Sequence, residues 1–164
     1  MATVEHDCTK LWYDINGKGQ ALVLTGGFGL LHNQWDFVRA MLAEKFQRVD
    51  WNYRGAGQSD RAWPGGRYDQ ETWVDDLEII LDTLDLDDVV LWGTSTGSPI
   101  SIRYAAKYQA RVRALITYPM FKADAGFRQA FDGFRAIGET FGYDALACLT
   151  SWIGCAESNV FGER

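Results

Sequence analysis

The fold is decided by a stretch near the middle of the chain, Val89-Val90-Leu91-Trp92-Gly93-Thr94-Ser95-Thr96-Gly97. Its first four residues form a continuous apolar run, which is typical of a strand buried on both faces of a sheet. The remainder follows the pattern Gly-x-Ser-x-Gly, and a helical pattern extends over about residues 96–108. The sequence therefore predicts a strand, a sharp turn that carries Ser95, and then a helix.

The turn around Ser95 has the composition of a nucleophile elbow. A strand that turns at once into a helix forces its central residue into a strained conformation, and the residues two positions away must be small. Gly93 and Gly97 occupy those two positions. The serine hydroxyl would then lie at a helix N-terminus, where free N–H groups and the helix dipole favour negative charge. Ser95 is therefore a candidate nucleophile, and an ordinary helix N-cap is the structural alternative.

Strands and helices alternate on both sides of this turn. Upstream we expect a buried strand at residues 21–24, a helix at 35–46, a brief strand at 48–51 and a helix that begins after Asp69, a suitable N-cap. Downstream, residues 112–118 are the next predicted strand. This alternation predicts an α/β fold with a mostly parallel sheet flanked by helices.

The chain resembles the α/β-hydrolase superfamily over about residues 11–119, where three motifs occur in the family's order. The oxyanion-loop motif His-Gly-x-Gly appears as Gly26-Gly27-Phe28-Gly29, with Gly26 in place of the usual His and Trp35 at the usual distance beyond it. The motif Asp-x-Arg-Gly-x-Gly-x-Ser appears as Asn52-Tyr53-Arg54-Gly55-Ala56-Gly57-Gln58-Ser59. The elbow at residues 93–97 is the third.

This resemblance implies a role for each residue around Ser95. The backbone N–H groups of Phe28 and Thr96 would form the oxyanion hole, and Arg54 would tie down its own loop. Serine at position 95 argues against epoxide hydrolases and haloalkane dehalogenases of the same superfamily, which use aspartate there. The glycines that would shape the elbow and the oxyanion loop are Gly26, Gly27, Gly29, Gly93 and Gly97.

After Pro119 the alternation of predicted strands and helices gives way to a Phe-rich segment. By the resemblance, residues 1–119 would form the hydrolase core with its first six strands, and residues 120–164 would begin a helical cap. A stripe of Phe at helical spacing lies in this second part, and it would either pack within the cap or roof a hydrophobic pocket. The residues expected to line that pocket are His32, Trp35, Phe127 and Phe131.

A catalytic base is missing from the expected place. A serine nucleophile normally needs a His oriented by an acid, in the chain order Ser, acid, His, but no His follows Ser95. His6 is expected at the surface, and His32 and Asp124 remain as candidates for the base and the acid. We therefore expect a sheet that is incomplete at its C-terminal edge, with a second polypeptide, the C-terminal part of the same precursor, supplying both groups. A truncated chain is the alternative.

Composition narrows the range of partners. The net charge of −6 and the lack of a Lys/Arg cluster disfavour nucleic acid, and no apolar run approaches the roughly 20 residues that span a bilayer.

The start of the chain lacks the features of a signal peptide. The three cysteines, Cys8, Cys148 and Cys155, have no CxxC spacing, so neither a disulfide framework nor a metal site is expected. We expect a cytoplasmic protein.

These observations favour a serine hydrolase acting on a small hydrophobic ester or lactone. The mechanism needs no metal or organic cofactor, because side chains carry out its chemistry. A C–C bond hydrolase, a perhydrolase or an acyltransferase on the same fold remains open. The other alternative is a binding protein without catalytic activity that uses the pocket as a ligand receptor.

Overall fold

The computed structural model describes residues 1–27 and 32–118 and, further along, Asp132, Gly133, Ala136, Glu139 and Thr140. The chain divides into two units, Met1–Met120 and Phe121–Arg164. The architecture below is that of the first unit. Of the expected cap at residues 120–164, only those five positions are described, so Asp124, Phe127 and Phe131 lie outside the described residues.

From the third strand onward, strands and helices alternate along the first unit as the sequence predicts. The strands are β1 (Ala2–His6), β2 (Thr9–Asn16), β3 (Gln20–Thr25), β4 (Phe46–Trp51), β5 (Val89–Thr94) and β6 (Val112–Tyr118). The helices are α1 (Asp36–Ala43), α2 (Gln70–Thr83) and α3 (Gly97–Lys107), with short 3-10 turns at His32–Trp35 and Gln109–Arg111. None of the helices in the described part of the chain is both long and apolar enough to cross a membrane.

All six of these strands belong to one sheet, in the order β1-β2-β4-β3-β5-β6. Strands β4, β3, β5 and β6 run parallel, whereas β1 pairs with β2 and β2 with β4 in the antiparallel sense. This sheet, flanked by helices, confirms the predicted α/β class. Its carboxyl edge brings together the loops that follow β3, β4 and β5, because these three strands are parallel neighbours.

Alternate residues of β3 face two separate apolar clusters, which explains why this strand is a continuous apolar run. Ala21 and Val23 belong to a large cluster with residues of α2 and α3, among which are the fully buried Leu77, Ile80, Leu81 and Ile100. Leu22 and Leu24 belong to a smaller cluster on the other face, with Trp35 and the partly buried Val38, Leu42, Val90 and Trp92. Helices therefore cover both faces of the sheet.

The region expected as one helix at residues 35–46 is three elements instead. A 3-10 turn ends at Trp35, α1 covers Asp36–Ala43, and Phe46 begins β4. The helix ends early because Phe46 pairs with Gln20 of β3 in the sheet and packs against the smaller cluster. The predicted cap of α2 is confirmed, since the Asp69 carboxylate accepts a hydrogen bond from the Thr72 N–H at 3.0 Å.

A buried ion pair fixes the loop that follows β4. The Arg54 guanidinium donates to both carboxylate oxygens of Asp76 on α2, from Nε at 2.8 Å and from Nη2 at 2.6 Å, and both side chains have 0% exposure. These hydrogen bonds also raise the pKa of Arg54 above its ordinary value. Arg54 therefore ties its loop to the core, as expected.

His6 joins the same cluster while remaining partly exposed at the end of β1. Its Nδ1 lies 2.7 Å from Asp76 Oδ1, and its side chain is 27% exposed. The reason is that β1 packs against α2, which brings the end of β1 beside Asp76. The β1–β2 hairpin is thereby linked to the same buried carboxylate as Arg54.

We expect Asp76→Asn to lower the free energy of unfolding by about 3 to 5 kcal/mol, because the buried guanidinium of Arg54 would lose its buried carboxylate and keep only the exposed Asp7, at 3.4 Å, as a charged partner. Denaturation in urea, followed by tryptophan fluorescence, measures this loss. Glu71→Gln is a matched control, since it breaks an exposed pair with Arg103 and should cost less than about 1 kcal/mol. Equal losses in the two variants would contradict a structural role for the buried pair.

Candidate functional site

The three sequence motifs meet at the carboxyl edge of the parallel strands. Thr25, the last residue of β3, pairs with Trp51 at the end of β4 and with Gly93 near the end of β5. The oxyanion loop, the Arg54 loop and the elbow therefore begin side by side. Crevices at this edge of open α/β sheets are where such folds bind ligands.

Ser95 has the strained backbone expected of an elbow residue. Its φ angle is 49°, in the left-handed region that residues with a side chain rarely adopt. The Ser95 N–H donates to the carbonyl oxygen of Tyr118, at the end of β6, at 3.1 Å, and the Ser98 N–H donates to the Ser95 carbonyl at 3.0 Å. The surrounding strand and helix therefore hold this conformation in place.

Two glycines are required by the close approach of backbone segments at the elbow. A Cβ added at Gly93 would lie 2.4 Å from the carbonyl oxygen of Gly97, and one added at Gly97 would lie 2.1 Å from that of Thr25. Both distances are shorter than a real Cβ tolerates. The pattern Gly-x-Ser-x-Gly is therefore a steric requirement of this strand–turn–helix junction.

Thr96, the second proposed oxyanion donor, lies at the N-terminus of α3. It is the N-cap of the helix and makes no side-chain capping hydrogen bond. No residue in the described ranges accepts a hydrogen bond from its backbone N–H. This N–H is therefore available, and the α3 dipole adds partial positive charge beside it.

The other proposed donor, Phe28, lies outside the described residues together with Gly29, whereas Gly26 and Gly27 are described. A Cβ added at Gly27 would lie 2.9 Å from Ser95 Cβ, so this glycine is in direct contact with the elbow. Tyr53 approaches from the other side, with its hydroxyl 3.5 Å from the Gly27 carbonyl oxygen. Burial raises the pKa of Tyr53 to about 12, so that the phenol stays protonated.

Gln34, which belongs to none of the three sequence motifs, connects the oxyanion loop to the elbow strand. Its Oε1 accepts a hydrogen bond from the Gly27 N–H at 3.1 Å, and its Nε2 donates to Thr94 Oγ1 at 2.6 Å. Gln34 lies beside the elbow only in space, since Thr94 is 60 residues away in the chain. In the sequence, the one feature that points to Gln34 is its position directly before Trp35.

His32 is not placed as a partner of Ser95. Its Nδ1 lies 3.1 Å from Asn52 Oδ1, its Nε2 lies 3.4 Å from the amide nitrogen of Gln58, and its ring stacks on Trp12 at 4.4 Å. Within residues 1–27 and 32–118, no hydrogen bond joins the Ser95 hydroxyl to another group. His32 therefore lies beside the Asn52 loop, and no hydrogen bond joins it to Ser95 in this arrangement.

Trp35, expected as a possible pocket residue, is only 5% exposed. Its ring packs edge-on against Trp92 of β5, with ring centroids 4.8 Å apart, in the smaller apolar cluster. This packing holds the 3-10 turn that precedes α1 against the sheet. Among the described residues, no group of three or more His, Cys, Asp or Glu side chains could hold a metal ion.

Comparison with known proteins gives a family for this arrangement. A family model described as alpha/beta hydrolase fold matches residues 22–120, which contain all three motifs. The AB hydrolase superfamily protein YisY of Bacillus subtilis is 34% identical over 110 residues, which are 66% of this chain and 40% of that protein. The chain thus spans less than half the length of this curated relative.

Solved structures resemble the chain in the same way. An N-acyl homoserine lactone degrading enzyme is 26% identical, with a TM-score of 0.71 over 84% of this chain and 55% of that one. An esterase from Exiguobacterium antarcticum is 27% identical, with a TM-score of 0.68 over 77% of this chain and 50% of that one.

We expect Ser95→Gly to be more stable than Ser95→Ala by about 1 kcal/mol, because glycine adopts a φ of 49° without the strain that a Cβ imposes. Both variants lack the hydroxyl, so the comparison isolates the backbone. Thermal melts of the two variants side by side measure the difference. If Ser95→Ala were as stable as Ser95→Gly, the left-handed conformation would not be strained in solution.

Proposed function

The chain belongs to the alpha/beta hydrolase family, and we propose that it carries the nucleophile of a serine hydrolase that acts on a small hydrophobic ester or lactone. The observation that carries this proposal is Ser95 itself. Its φ of 49° and its place directly before α3 hold the hydroxyl at a helix N-terminus. An ordinary N-cap serine has an extended backbone, so capping does not account for this conformation.

In the proposed reaction, Ser95 Oγ attacks the carbonyl carbon of the substrate. A histidine takes the hydroxyl proton and passes it to the leaving alcohol, which leaves an acyl-enzyme ester on Ser95. Water, deprotonated by the same histidine, then releases the acid and restores the serine. The N–H groups of Thr96 and Phe28 stabilise the oxyanion of each tetrahedral intermediate, a contribution of a few kcal/mol per donor in related sites.

We further propose that the acid and the histidine come from a C-terminal segment that is not in this chain. The sequence has only two histidines, His6 and His32. His6 is bound to Asp76, and His32 faces Asn52 and Gln58. The match to the Bacillus relative covers only 40% of that protein, which is compatible with a longer enzyme. Asp124 remains a candidate acid outside the described residues.

Three features support an apolar substrate and a cytoplasmic protein. The similar solved proteins include an esterase and an N-acyl homoserine lactone degrading enzyme, which supports an ester or lactone as the substrate class. A Phe-rich stripe that includes Phe127 and Phe131 would supply the apolar roof of the pocket. The thiol of Cys8 is free, which suits a reducing compartment.

Ser95→Ala should lower the turnover of p-nitrophenyl esters by at least about 10³-fold, because the nucleophile is removed, while the circular dichroism spectrum stays unchanged. In the native protein, a fluorophosphonate should form an adduct on the peptide that contains Ser95. Ser101→Ala is the matched control, since this buried α3 hydroxyl has no partner among the described residues. It should retain both turnover and labelling.

The outcome of this experiment separates the alternatives. Retained turnover in Ser95→Ala would remove Ser95 from its role. Labelling of Ser95 without turnover of any simple ester would favour a C–C bond hydrolase, a perhydrolase or an acyltransferase. Native protein that neither turns over activated esters nor reacts with the probe would favour a ligand-binding protein without catalytic activity.

The proposed second polypeptide predicts a particular behaviour of this chain. β6 is the last strand of the described sheet, and its exposed side chains include Leu115, Ile116 and Tyr118. Because an open apolar edge strand promotes aggregation, we expect the isolated 164-residue chain to be poorly soluble or partly unfolded. Intact masses of the native preparation under denaturing conditions should contain a second species. A monomeric chain with a cooperative melt would contradict this proposal.

A further inference from the structure

We propose that Gln34 is a positioning residue that holds the oxyanion loop against the nucleophile elbow, an inference that rests on the function proposed above. Its carboxamide bridges two elements that must keep a fixed spacing during the reaction. One side contacts the backbone of Gly27, and the other contacts the side chain of Thr94. Gln34 would therefore act through these two residues and would not touch the substrate.

The two contacts lie directly beside the proposed reacting groups. Thr94 immediately precedes Ser95 in the chain, and Gly27 immediately precedes Phe28, whose N–H is a proposed oxyanion donor. Gly27 also abuts Ser95, since an added Cβ would lie 2.9 Å from Ser95 Cβ. A shift of Gly27 relative to Thr94 would therefore change the spacing between nucleophile and oxyanion hole.

The chemistry of the partners fixes the orientation of the carboxamide. The Gly27 N–H can only donate, so the Gln34 atom that faces it at 3.1 Å must be the carbonyl oxygen. The NH2 group then faces Thr94 Oγ1 at 2.6 Å, and the hydroxyl oxygen accepts. Both hydrogen bonds require an amide of this length, which Glu or Met at position 34 would not reproduce.

Gln34 is itself held in place by its neighbours. Trp35 is buried and packs against Trp92, which belongs to the same strand as Thr94. The carbonyl oxygen of His32, at the start of the same 3-10 turn, accepts a hydrogen bond from Arg39 Nη2 at 3.0 Å. The turn is thus fixed on both sides of Gln34, so that the amide forms its two hydrogen bonds with little loss of side-chain freedom.

The Gln34 bridge matters because this oxyanion loop has Gly26 in place of the usual His. The resembling family has His at this position of the oxyanion loop, and glycine has no side chain with which to anchor the loop. Gln34 supplies an anchor from outside the motif, to the adjacent residue. Oxyanion donors act only when they are already in position as charge develops, so a loose loop would lower kcat more than it would raise KM.

A double-mutant cycle in the complete enzyme tests the bridge. Gln34→Met keeps the length of the side chain but removes both hydrogen bonds, and Thr94→Val keeps the shape of threonine but removes the acceptor. We expect Gln34→Met to lower kcat for p-nitrophenyl esters by about 10- to 100-fold, with KM changed by less than about twofold. Thr94→Val should lower kcat less, and the double variant should be no worse than Gln34→Met alone.

Two further variants keep the test decisive. Thr94→Ser retains the hydroxyl and should restore kcat to near the native value. Asn33→Ala changes an exposed neighbour on the same turn and should leave kcat unchanged. Active-site titration with the fluorophosphonate normalises kcat to folded enzyme, so that a loss caused by unfolding alone disappears.

The possible outcomes fall into distinct groups. An unchanged kcat in Gln34→Met, a change confined to KM, or losses in the double variant that simply multiply would each overturn the inference. Native enzyme that neither turns over esters nor reacts at Ser95 would instead overturn the proposed function. A normal rate in Gln34→Met with a normal reaction at Ser95 would leave the proposed function intact while removing Gln34 from its role.

Discussion

The close approach of α3 to the end of β3 is the constraint on which the site depends. A Cβ at Gly97 would lie 2.1 Å from the Thr25 carbonyl oxygen, so the helix can begin here only with glycine. The chain must then turn within a single residue, and Ser95 takes a φ of 49°. This conformation costs about 1 to 2 kcal/mol, which the hydrogen bond to Tyr118 and the packing of α3 offset. The same backbone conformation keeps the Ser95 hydroxyl clear of the sheet.

The wall beside the elbow depends on a different interaction, the buried pair of Arg54 and Asp76. Two short hydrogen bonds between fully buried charges fix the loop after β4 to α2. Asn52, at the start of that loop, accepts a hydrogen bond from the Gln58 N–H and faces His32. Because the Arg54–Asp76 pair fixes this loop, it also fixes the position of Asn52 and, through Asn52, the position of His32.

The sequence alone predicts the elbow, but it does not predict the contacts between distant elements that hold the site in place. Gly93, Ser95 and Gly97 stand at fixed spacing because local sterics demand it, and local rules can be read from a chain. Gln34 contacts a residue 60 positions away, and His6 contacts one 70 positions away, through the approach of separate elements that no periodicity records. Phe46 fits a helix pattern as well as a strand pattern, and only its pairing with β3 decides between them.

The structure separates two tasks that acyl transfer requires. Binding of a developing oxyanion needs N–H groups and a helix dipole close to the nucleophile, which Thr96 and α3 would provide in the proposed site. Proton transfer needs a histidine at Ser95, and the ring nitrogens of His32 face Asn52 and Gln58 instead. Oxyanion stabilisation and binding alone give serine hydrolases about 10³- to 10⁴-fold over water, whereas the base supplies the rest. In the proposed enzyme this chain would therefore supply the nucleophile and the oxyanion donors, and the proposed histidine would carry out the proton transfer.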